Sequence, residues 1–178
     1  MRLGFGGPSS DPAGVSGWRP PIGHTGFRRV VSARELAEAF TPTLEELGWA
    51  RSRTQSDGHC LALVVGLKSY QRLGYFPKLT DVPAMVVDHV RAAVELPDSV
   101  KAKVDANRTA KRHQRFVREY LGVKYEAAKV RAVAEQAIRT AVRTKDNPAD
   151  LINVALKEPV RAWWELPGYT TLNAMTAG

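Results

Sequence analysis

From residue 32 onward, apolar positions return every three to four residues, the period of a helix that buries one face. Leu36, Ala37 and Phe40 form the first such set, and Ser32 followed by Glu35 at the third position on has the form of a capping box, so a first helix is predicted over 33–40. Thr41-Pro42 stops it, and Thr43 can start a short second helix through Leu47 that Gly48 ends. A third helix, from about Gly58 to Leu73, is apolar on nearly every side between Cys60 and Leu67, which predicts a buried central element. Gly74 and Pro77 mark a boundary, after which Asp81 is placed to cap a fourth helix with Pro83 in its first turn and its end near Leu96-Pro97. Further helices are expected over 100–121, with Asn107 as a candidate dividing point, then over 125–144 and 148–163.

No strand signal of useful length accompanies these periods, so the expected fold is all-α. Two small helical units are predicted, residues 28–78 and residues 79–178, joined around Phe76 to Leu79. Helix, short turn, helix and a longer helix make the first unit helix-turn-helix-like, an order that small α-bundles share. Residues 1–27 carry seven of the fourteen glycines and four of the eleven prolines without any hydrophobic period, the composition of a disordered tail. Gly4, Gly6 and Gly7 do not make a phosphate loop, because no strand precedes them and no glycine-lysine pair follows.

Charge changes this picture in one place. The chain of 178 residues has a net charge of +8, yet the segment from Lys101 to Lys145 alone holds thirteen Lys/Arg against four Asp/Glu, leaving the remainder close to neutral. Within it Arg108, Lys111, Arg112, Arg115 and Arg118 recur at helical spacing and, at about 100° per residue, occupy an arc of roughly 120°. Ala110, His113, Phe116, Val117, Tyr120 and Leu121 project to the other side. A helix so divided buries one face and shows a cationic stripe, which suits a polyphosphate backbone. Solvated helices also carry Lys and Arg for solubility, but their faces usually alternate in sign, and here only Glu119 interrupts the stripe. A second candidate set is Arg51, Arg53, Lys68 and Arg72, at the basic turn before the central helix and along its one polar edge.

Catalytic chemistry finds no constellation. His24, His59, His89 and His113 share no metal-ligand spacing with one another or with Cys60, so neither a metal nor a cofactor is expected. His113 falls on the apolar side of its helix, the place of a packing residue, and Glu45-Glu46 look like exposed helix charges. The single cysteine, Cys60, lies in an apolar run, which suits core packing in a reducing compartment. No stretch approaches the roughly 20 apolar residues that span a bilayer, and the expected location is cytoplasmic, away from membranes.

Several strings in order resemble the N-terminal region of Tn-three-family transposases, the replicative bacterial enzymes that act on long terminal inverted repeats. They are Ser32-Ala33-Arg34-Glu35-Leu36 leading to Phe40-Thr41 and Leu44-Glu45-Glu46-Leu47; Tyr70-Gln71-Arg72-Leu73-Gly74-Tyr75-Phe76-Pro77; and Val82-Pro83 with Val86-Val87-Asp88-His89-Val90. Arg108-Thr109, Arg112-His113 and Glu119-Tyr120-Leu121-Gly122 follow, and Glu165-Leu166-Pro167-Gly168-Tyr169-Thr170-Thr171-Leu172 closes the set. Together the strings span Val31 to Met175. Where the family often has His-Asn-Arg-Leu before the buried helix, this chain reads Asp57-Gly58-His59-Cys60-Leu61, without that arginine.

The resemblance implies a helical module that binds double-stranded DNA at transposon ends. It also implies that the acidic residues holding catalytic metal lie in a later domain, so that this chain is not itself an enzyme but an isolated module or a truncated product. Lys and Arg would contact phosphates while one helix enters a major groove. Two rival expectations are a helical interaction module, packing on the rest of a transposase or on a second copy through the surface near Trp163, Trp164 and Leu166, and a stand-alone regulator that occupies the ends.

Overall fold

The computed structural model describes residues 31–141 together with Glu165 and Ala174. Every regular element among them is helical, and the one isolated bridge is at Lys124, whose carbonyl accepts the Glu165 N–H at 3.0 Å. The first helix, α1, is an α-turn over Ala33–Glu35 that widens into a π-turn over Leu36–Phe40. Ser32 Oγ accepts from the Glu35 N–H at 3.1 Å, one half of the expected capping box. The Glu35 carboxylate is used elsewhere, accepting from Arg72 Nε and Nη2 at 3.0 and 2.8 Å.

Helix α2, Leu44–Arg53, carries the complete box instead: Glu46 N–H donates to Thr43 Oγ1 at 3.2 Å and Thr43 N–H to Glu46 Oε2 at 2.8 Å. Gly48 does not end it. A helical glycine costs only about 1 kcal/mol relative to alanine, and the turn beyond it is held by Ala50, which is fully buried, and by Trp49, stacked on Tyr120 with ring centroids 4.4 Å apart. Three residues, Thr54 to Ser56, then lead into α3, Asp57–Leu73.

Helix α3 is the buried centre the apolar run predicted. Leu61, Leu63, Val64, Val65 and Leu67 are all shut from solvent. Gly74 closes it in the left-handed conformation at φ 78°, its N–H on the Tyr70 carbonyl at 2.7 Å. After a short 3-10 turn at Leu79–Asp81, which holds Asp81 outside the capping position, Pro83 begins α4, Ala84–Ala93, with Val86, Val90 and then Val94 on its inner edge. Arg91 Nε bonds the Val100 carbonyl at 2.8 Å and so fixes the loop that follows.

The helix expected from residue 100 begins only at Asn107. Residues 101–106 run non-helically across the start of α3 because their polar groups have partners there. Lys103 N–H donates to the Gly58 carbonyl at 2.9 Å, and Asp105 Oδ2 lies 2.8 Å from His59 Nε2. Helix α5, Asn107–Leu121, turns His113, Val117 and Leu121 inward and ends at Gly122, left-handed at φ 65°. Helix α6 is Ala127–Ala141, with Val130, Ala134, Ile138 and Ala141 on its buried face. One core cluster draws on both sides of the 78/79 boundary, from Val31 and Phe40 through α3 to Val86, Val90, Val117 and Val123. The expected tail at 1–27, the helix at 148–163 and the Trp163-Trp164-Leu166 surface lie outside the described residues.

Candidate nucleic-acid interface

Helix α5 positions the cationic stripe by the same periodicity that buries its other face. Each inward residue at 113, 117 and 121 fixes the rotation of the helix, and Arg108, Lys111, Arg112 and Arg115 are thereby exposed. With Thr109 these four line a surface hollow of about 460 Å³. Arg115 Nε stands 3.5 Å from Glu119 across one turn, an exposed pair of the kind worth well under 1 kcal/mol. The N-terminus of α5 adds to the same surface. Its N-cap is Ala106, which offers no side-chain bond, and its first turn holds no acid, so the helix dipole and the leading N–H groups stand beside Arg108 and Lys111.

Arg118 is placed differently from the other four. It forms an ion pair with Glu165, and its guanidinium lies over the rings of Tyr125 and Phe76 at 4.4 and 5.1 Å. That side chain ties α5 to the segment at 165 rather than extending the stripe. The second set is also divided. Arg53 lies over the Phe116 ring at 5.4 Å and Arg115 over the same ring at 5.6 Å, so one ring links Arg53 to the stripe. Arg51 Nη2 reaches the Val94 carbonyl at 3.4 Å, and Arg72 is held by Glu35.

Lys68 is an interior residue, which corrects its expected place on a polar edge. It is 7% exposed, with Nζ at 3.3 and 3.4 Å from the carboxylate of Glu46, itself 5% exposed. Gln71 Nε2 donates to the same carboxylate at 2.8 Å. Glu46, read from sequence as an exposed charge, is therefore the hub that joins the α2 cap to α3. No exposed face remains on the middle of α3 to lie in a DNA groove, since every residue over 60–70 is buried except the half-buried Gly66.

His113, His89 and Cys60 have places in the fold rather than in a reactive cluster. His113 is buried, and burial first, then His59 and Arg112, pushes its imidazole down to about 4, so it is neutral at pH 7. His89 Nε2 pairs with Thr41 Oγ1 at 2.8 Å. Burial raises the Cys60 thiol, the opposite of an activated nucleophile. Among the described residues no group of three or more His, Cys, Asp or Glu could hold a metal ion, and no helix is long and apolar enough to cross a membrane.

A family model described as "Domain of unknown function (DUF4158)" matches residues 23–178. The chain belongs to the DUF4158 family. That match takes in all the described helices and the whole cationic stripe. Neither a curated protein nor a solved structure matches the chain.

Proposed function

We propose that this DUF4158 chain is a DNA-binding module of a Tn-three-like transposase, holding the terminal inverted repeats without carrying the strand-cutting chemistry. The observation that carries the reading is the clustering of Arg108, Lys111, Arg112 and Arg115 on one exposed face of α5, around the uncapped end of the helix. Exposed cations, of which only Arg115 has an acidic neighbour among the described residues, beside an uncapped helix start make a surface for successive phosphates. Domains of this family occur in Tn-three-family transposases, and the ordered strings from Ser32 to Leu172 resemble the N-terminal region of those enzymes. Helix α5 is the element offered to the major groove, with Arg53 beside it and Lys68 serving the fold.

Mobility shift across a salt titration, with inverted-repeat and scrambled duplexes, tests the reading. Each lost phosphate contact lowers the slope of log K against log salt by about 0.9, so Arg112→Glu with Arg115→Glu should cut it by roughly 2 and abolish most binding. Helicity should be unchanged, because both side chains point away from the core. Arg34→Glu is the control, since Arg34 is exposed and pairs with Glu38 one turn along its own helix. If the double variant binds as tightly as the unmodified chain at every salt concentration, the stripe is a solvated face and the interaction-module reading moves ahead.

A further inference from the structure

Between α3 and α5 lies a groove of about 390 Å³, within the range of roughly 300–1,000 Å³ that holds small molecules. Ala62, Val65 and Gly66 of α3 face Ala110 and Val117 of α5, so the walls are mainly apolar. Two further lining residues carry polar atoms without a partner. Ser69 is fully buried and His113 is 7% exposed, and among the described residues neither Ser69 Oγ nor His113 Nε2 has a hydrogen-bond partner. Buried polar atoms are ordinarily satisfied, and those left over mark a place where a partner belongs. Among the described residues the only charged ones on the lining are Lys78 and Lys111, both exposed, and no acid accompanies them. The groove therefore combines apolar walls, two unpaired polar atoms and a positive edge.

We propose that this groove binds a small aromatic carboxylate bearing a ring hydroxyl. Its ring system lies between α3 and α5, its carboxylate rests on Lys78 and Lys111, and its hydroxyl pairs with Ser69 Oγ or His113 Nε2. The assignment follows from the chemistry of the lining. Apolar walls favour the ring, the lysines favour an anion, and the neutral imidazole and the hydroxyl each supply the hydrogen bond that a plain hydrocarbon would leave unmade. Lys111 also belongs to the cationic hollow of α5, so on the DNA-binding reading ligand and DNA phosphate compete for one ammonium group, each weakening the other by the same factor.

Isothermal titration of the full chain without DNA tests the site independently of that reading. The probes are hydroxynaphthoate, naphthoate, which lacks the hydroxyl, and naphthol, which lacks the carboxylate. Hydroxynaphthoate is expected to bind one molecule per chain, naphthol at least tenfold more weakly, and naphthoate several-fold more weakly. Lys78→Gln with Lys111→Gln should erase the preference for hydroxynaphthoate over naphthol. Gly66→Leu should cut hydroxynaphthoate affinity at least tenfold, because a Cβ at Gly66 meets no atom within 4 Å and the side chain extends into open space. Amide shifts of the unmodified chain during the titration provide a readout free of any substitution, and they should centre on Ala62, Gly66 and Val117. Absence of saturable binding at millimolar probe, equal affinity for naphthol and hydroxynaphthoate, full affinity in Gly66→Leu, or shifts centred elsewhere would each overturn the proposal.

Discussion

The ion pair between Lys68 and Glu46 allows an interior cation to be separated by measurement from those proposed to face DNA. Their charged atoms are 3.3 Å apart, with both residues at least nine-tenths buried. At an effective dielectric of about 20 their attraction is about 5 kcal/mol. Desolvation of each ion costs several kcal/mol, so the pair as a whole contributes little net stability. Removing one partner is another matter, because the remaining charge stays buried. Lys68→Met and Glu46→Gln should each cost about 3 kcal/mol, the lower end for a broken buried pair, since Glu46 retains Thr43 N–H and Gln71 and the glutamine can keep the cap. The double variant should cost about 3 kcal/mol as well rather than about 6, a coupling of about 3 kcal/mol. Urea denaturation with linear extrapolation reads all three values. On DNA, Lys68→Met should leave the salt slope unchanged while the protein remains folded. Additive single costs, or a stable Lys68→Met variant whose slope falls by about 0.9, would refute the interior assignment and return Lys68 to the proposed DNA surface.

Acid should weaken the fold through His113. Its folded value of about 4 lies below the ordinary 6.5, so as pH falls the unfolded chain takes up the proton first. The stability held by the neutral ring is complete above pH 6.5 and is lost as pH drops toward 4, by up to about 3 kcal/mol; denaturation of the unmodified chain and His113→Phe over that window should differ in slope accordingly, and parallel curves would exclude it. Alanine at two glycines of α3 should act in opposite directions in the same denaturation assay. At Gly58 a Cβ would stand 2.9 Å from the Lys101 carbonyl oxygen, so Gly58→Ala should destabilise by about 1–3 kcal/mol as the crossing segment shifts. At Gly66 there is no atom within 4 Å, and Gly66→Ala should stabilise by about 0.5–1 kcal/mol through helix propensity; the same sign at both positions would contradict the contact geometry.

Legibility from sequence followed the length scale of the forces involved. Local periodicity placed α3 within a residue of its ends, and the glycine at 74 marked a real left-handed cap, because a helix and its stop are set by neighbours in the chain. Gly48 misled because its penalty is small beside the burial of Ala50 and the stacking of Trp49 on Tyr120, a contact across many residues. Residues 101–106 misled for a related reason. Their helical composition was outweighed by Lys103 on Gly58 and Asp105 on His59, partners that no local window contains.

The same limit governs the cations. A lysine on a helix has one composition whether it meets water, phosphate or a carboxylate brought in by another helix, and only the fold shows that Glu46 reaches Lys68, Glu35 reaches Arg72 and Glu165 reaches Arg118. Arg118 stands at the edge of the arc read from sequence, where a long side chain can turn either outward or along the protein. Phe76 and Tyr125 give it aromatic faces, and Glu165 gives it a counter-charge, so it turns along the protein. Withdrawing it narrows the exposed arc from roughly 120° to about 100° at 100° per residue. It also leaves Arg108 and Lys111 beside the uncapped start of α5, with Arg112 and Arg115 further along the same face. On the proposed DNA-binding reading the narrower stripe is the better phosphate surface, because the positive end of the helix dipole adds to the same sign of charge at its Arg108 end and no buried carboxylate shares its cations.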